Sequence, residues 1–168
     1  KSVQLNKFLD NIVINGEFAY NKTIHKEQIR NVKFGKKDYG NLKIKAFETA
    51  HNQNPMKNNI DLTAEFGEFI GWYLAEGSIE CHTYGRVSFV MNKNELPYAE
   101  KLLKTSKDYL GIDGTINIEN NTLVLKLNSS LLGRFLYKFC GSKKEKHLPD
   151  SIMEFPIIFL KGLLKGYI

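Results

Sequence analysis

No stretch of this 168-residue chain is apolar for long enough to cross a membrane, and no signal peptide opens it. The expectation is an intracellular protein, in cytoplasm or nucleoid, with no membrane contact. Cysteine is scarce: Cys81 and Cys140 have no metal-type spacing to each other or to the four histidines. That leaves out a zinc-finger-like centre and suits buried thiols of a reducing compartment. His25 and His51 have no nearby ligand partners and read as surface residues. Acid is the minority charge, 18 Asp and Glu against 24 Lys and Arg, for a net charge of +6. A pI near 9.2 admits a polyanionic partner but does not select one, since lysine-rich solvated faces are common.

What is present is ordinary globular composition, 42% hydrophobic and 25% charged, enough for one domain with a full core plus an extension. Residues 1–59 form a basic N-terminal segment of different texture. Val3 to Ile14 fits a short helix or a strand pair, Asn15-Gly16 is a turn signal, and Leu42 to Phe47 alternates like a strand. From Tyr20 to Lys45 the chain is dense in Lys, Arg and Asn, either a solvated surface or an accessory element that contacts phosphates. His51 to Asn59, with Pro55, reads as loop or linker.

From residue 60 the pattern sharpens. Thr63 is a good N-cap, Glu65 suits a first turn, and Phe66, Phe69, Ile70, Tyr73 and Leu74 recur at helical spacing. Gly77 is placed to leave that helix in a left-handed conformation. Strand-like runs follow at Ile79–Thr83 and Arg86–Met91 around Tyr84-Gly85, then a helix over Asn94–Leu110 with Pro97 in its first turn. A second hairpin spans Thr115–Glu119 and Thr122–Asn128. A helix capped by Ser129 or Ser130 runs to Phe139 and closes at Gly141, and a last helix runs from about Pro156. The fold class is α+β: a four-stranded antiparallel sheet with helices on one face.

The period of two sorts the strand residues. Ile79, Cys81, Val87, Phe89, Ile116, Ile118, Leu123, Leu125 and Leu127 fall on a core face. Glu80, His82, Arg86, Ser88, Asn117, Glu119, Thr122, Lys126 and Asn128 fall on the other. Any half-buried sheet has a polar outside. These residue types can nevertheless reach base edges in a major groove, so Glu80, His82, Arg86, Ser88, Asn117, Lys126 and Asn128 are candidate DNA contacts.

Phe69-Ile-Gly-Trp-Tyr-Leu-Ala-Glu-Gly77 and Leu160-Lys-Gly-Leu-Leu-Lys-Gly-Tyr-Ile168 share small residues one turn apart, Gly71 with Ala75 and Gly162 with Gly166. Two such helices can cross with their backbones close together. Glu76 sits at the end of the first, where the helix dipole disfavours a carboxylate.

The lead-in Ile60-Asp-Leu-Thr-Ala-Glu-Phe-Gly-Glu68, the motif Ile70–Ser78, and Lys144–Met153 leading into Phe159–Gly166 resemble the LAGLIDADG homing endonucleases of the intein-associated (dodecapeptide, DOD) type. The resemblance covers residues 60–168. It implies αββαβ repeats forming a saddle-like sheet over double-stranded DNA, and site-specific, metal-dependent phosphodiester cleavage. Glu76 would be catalytic and bind Mg²⁺ (or Mn²⁺), and Lys146 would be the basic active-site residue. The second motif carries Tyr167, a poor Mg²⁺ ligand, where the acid belongs, followed by Ile168. No Cys, Ser or Thr opens the chain, and no His-Asn pair closes it. The expectation is then one repeat plus a second motif helix, without a splicing apparatus. A second repeat or a second chain would supply the other carboxylate. The alternatives are a DNA-binding module that has lost cleavage, and an inactive remnant.

Overall fold

The computed structural model describes residues 1–5, 59–80 and 85–168, together with Met56 and the backbone of five strands between residues 12 and 57. β1 (Ser2–Gln4) pairs antiparallel with β7 (Asn59–Asp61). Between them, β2 (Ile12–Asn15), β3 (Phe18–Lys22) and β4 (Ile29–Lys33) form one antiparallel sheet, and β5 (Ala46–Thr49) pairs with β6 (Asn52–Lys57). Much of the expected strand at Leu42–Phe47 lies outside the described residues, and so do Cys81 and His82. The expected linker at His51–Asn59 is instead mostly strand, because Met56 pairs with Phe47 and is drawn into the core.

α1 (Ala64–Glu76) starts where the Thr63 hydroxyl accepts the Phe66 amide at 3.2 Å. Its end departs from expectation. Gly77 has φ −73° and runs straight into β8 (Gly77–Ile79), so no left-handed residue closes the helix. Glycine is needed there for space, since a side-chain carbon would collide with the ring and carbonyl of Tyr73. β9 (Val87–Asn92) follows, and then α2 (Leu96–Thr105) with Pro97 in its first turn. A wider turn over Ser106–Leu110 ends at Gly111, whose φ of 72° does suit glycine. β10 (Gly114–Glu119) and β11 (Thr122–Leu127) flank Asn120, itself left-handed at φ 56°. α3 (Ser130–Cys140) is capped by Ser129, which accepts the Leu132 amide at 3.2 Å. α4 (Ile157–Tyr167) begins after Pro156.

The result is α+β, with four α-helices and antiparallel sheets among the described residues. The main sheet has the order β10-β11-β9-β8, every pair antiparallel. Val87, Phe89, Leu123, Leu125 and Leu127 are buried against the helices. Ile118, expected in the core, is 50% exposed, because it sits near the hairpin tip at the sheet's edge. Phe66, Phe69, Phe89, Phe135 and Phe159 form the centre, with Phe66 5.9 Å from Phe159 and Phe69 edge-on to Phe89 at 5.5 Å. Burying a ring of this size stabilises by roughly 1.5–3 kcal/mol, so this cluster fixes the helices on the sheet.

α1 and α4 lie side by side and parallel: Ala64 faces Gly162, and one turn later Glu68 faces Gly166. A methyl group at Gly67 would collide with the Phe159 carbonyl, and one at Gly71 with the Leu163 carbonyl. The close approach therefore uses Gly67 with Gly71 on α1, whereas Ala75 is exposed one turn beyond. Glu68, only 6% exposed, locks the seam: Lys101 of α2 reaches it at 2.6 Å and Lys165 of α4 at 3.4 Å.

Candidate nucleic-acid interface

The pleat turns one face of the sheet away from the helices, and the register aligns its residues in rows. Thr115, Lys126, Ser88 and Ser78 form one row; Asn117, Val124 and Val90 the next; Glu119, Thr122 and Asn92 the third. Of the expected contacts, Ser88, Asn117 and Lys126 therefore share this surface. Arg86 and Asn128 meet at its end, where the Arg86 Nε donates to Asn128 Oδ1 at 3.5 Å. The Glu80 amide donates to the Arg86 carbonyl at 3.0 Å, which holds Glu80 beside them. Asn117, Glu119, Asn120, Thr122, Val124 and Lys126 line a shallow depression of about 360 Å³. This surface offers cationic groups for phosphates, and amide, hydroxyl and carboxylate groups for base edges. Val90 and Val124 were missed in the sequence, although the same alternation that selects Ser88 and Lys126 places them there.

The second expected centre is the C-terminal end of α1. Lys146, from the connection between α3 and α4, donates to the carbonyls of Tyr73 at 2.8 Å and Leu74 at 3.1 Å. Its ammonium also lies 5.1 Å from the centre of the Tyr73 ring, and the Tyr73 hydroxyl donates to the Gly141 carbonyl at 2.6 Å. α1 has no basic residue in its own last turn, so Lys146 supplies the cation that the helix dipole favours. Burial holds Lys146 below the usual lysine range, partly opposed by the charge of Glu76 and by Cys140. Burial also pushes the Cys140 thiol up to about 12, so it is no thiolate nucleophile near neutrality. Glu76 is exposed at the helix end, and Tyr167 is exposed on α4.

Among the described residues, no three His, Cys, Asp or Glu side chains cluster as metal ligands. The carbonyls of Tyr73 and Leu74 at this helix end hold the ammonium of Lys146.

No protein-family model matches the chain. Over 120 residues it is 31% identical to the DNA-directed RNA polymerase subunit Rpo1C of Methanocaldococcus jannaschii. The match covers 69% of this chain and 13% of that protein. That name is of an RNA polymerase subunit, and it overturns the homing-endonuclease assignment with its site-specific cleavage. The residues that carried the resemblance have other physical reasons here. Gly71, Gly162 and Gly166 leave room for the α1–α4 seam, and Lys146 caps a helix. No helix among the described residues is long and apolar enough to cross a membrane.

Proposed function

We propose that this chain is a nucleic-acid-binding module whose ligand is double-stranded DNA, held on the solvent face of the four-stranded sheet. The observation that carries the reading is the row-by-row register that gathers Ser88, Asn117 and Lys126 on one face, with Arg86 and Asn128 at its end. The net charge of +6 supports a polyanionic ligand, and a two-stranded portion of such a sheet has the width a major groove admits. The relative's name, a DNA-directed RNA polymerase subunit, supports a setting in which the module works beside other parts of a transcription complex. Lys126 and Arg86 anchor phosphates, Asn117 and Asn128 face base edges, and Glu80 accepts from an exocyclic amine.

The test is fluorescence anisotropy with short labelled duplexes across a salt series. Binding whose logarithm falls linearly with log salt supports the reading, and each of Lys126→Ala and Arg86→Ala then lowers the slope by about 0.9. Absence of salt-dependent binding to duplex DNA, or full binding by both variants, refutes it.

A further inference from the structure

The middle row of the sheet's solvent face is chemically out of place. Its neighbours are Thr115, Lys126 and Ser88 on one side and Glu119, Thr122 and Asn92 on the other. Between them lie Val124 and Val90, directly opposite each other on the two central strands, with Asn117 next in line on β10. Val90 is 47% exposed, and Val124 is partly exposed on the wall of the depression. Strand preference alone does not demand valine. Threonine meets the same β-branched preference while presenting a hydroxyl, and Thr115 and Thr122 do so on this face. Exposed methyls at the centre of a polar, cation-flanked surface suit a ligand that carries apolar groups among hydrogen-bonding ones.

Resting on the duplex-DNA reading above, we propose that Val90 and Val124 contact thymine 5-methyl groups in the major groove, with Asn117 bonding the adenine beside them. The 5-methyl is the major groove's apolar group, and an A·T pair carries it on the same edge as the adenine N6 and N7 that a carboxamide bonds in bidentate fashion, with the thymine O4 between them. Each A·T pair carries one 5-methyl, so a row of one amide and two isopropyl groups suits two neighbouring A·T pairs. Lys126, one row away, supplies a phosphate contact that would hold the groove in place.

The inference is tested with three short duplexes of equal length: alternating dA·dT, the same duplex with deoxyuridine in place of thymidine, and alternating dG·dC. Loss of two buried methyl contacts weakens binding about tenfold. The dA·dT duplex should bind most tightly, and deoxyuridine should remove most of its advantage. Val90→Ala combined with Val124→Ala should bind the thymidine and deoxyuridine duplexes alike. Both valines are on the solvent face, so thermal unfolding of the variant should match that of the parent. Three outcomes overturn the inference. Equal, salt-dependent binding of all three duplexes overturns it and leaves the DNA-binding module standing. A thymidine preference that survives the double substitution overturns the assignment to this pair. Absence of binding to any duplex removes this inference and the reading beneath it together.

Discussion

The α1–α4 seam and the solvent face of the sheet are both laid down by simple periodicities, four residues in the first and two in the second. The seam depends on side chains that are missing. Gly67 and Gly71 of α1 and Gly162 and Gly166 of α4 let each backbone lie against the other, and the partner carbonyls leave no room for a methyl group. The sheet face depends on side chains that reach outward, each of which can change without disturbing the buried Val87, Phe89, Leu123 and Leu125 behind it. The seam should therefore respond to substitution in stability, and the sheet face in what it binds.

The sharpest way to break that contrast is Gly71→Val. It forces an isopropyl group into the Leu163 carbonyl and should cost about 3 kcal/mol or more, read as a lower urea midpoint. A variant as stable as the parent would mean that α4 is free to shift away. Next in size is Lys146→Met, which removes the ammonium from the Tyr73 and Leu74 carbonyls. It should lower stability by about 1–2 kcal/mol with an unchanged denaturant slope.

A smaller effect belongs to Glu65, whose carboxyl is held below the usual range, first by a backbone hydrogen bond and then by the Thr63 hydroxyl. A depressed carboxylate stabilises above its unfolded value, and that contribution is lost as pH falls through the folded value. Wild type should therefore lose stability relative to Glu65→Gln as an acid titration passes below about pH 4, and parallel curves would remove the role given to this first-turn carboxylate. Smallest of all is Ala75→Leu, on the exposed turn beyond the seam, which should stay within about 0.5 kcal/mol of the parent. If it destabilises as Gly71→Val does, the seam extends further along α1 than the contacts indicate.

The legibility of the two regions differed for a physical reason. Thr63, Pro97, Ser129 and Gly141 act within a turn of their own positions, so the helix boundaries they set could be read locally. The alternation that sorts Ser88 from Phe89 is equally local. The choice of Gly67 over Ala75 was not, because it depends on where α4 lies. Nor was Gly77, whose glycine answers to the Tyr73 ring and not to a left-handed φ. The motif residues also read as a nuclease centre, whereas the protein that this chain matches over 120 residues is named as a polymerase subunit.

By itself the sequence determined the helices and main-sheet strands from residue 60 onward, the alternation that sorts their two faces, and that the chain is net positive, since these follow from neighbours a few residues apart and from counting. Tertiary structure alone decided that Lys146, 73 residues from Tyr73, neutralises the end of α1. It alone joined Glu68 to Lys101 and Lys165, and set Val90 opposite Val124 between two polar rows. Each of these depends on distance in space between residues far apart in the chain, and no local periodicity encodes that distance.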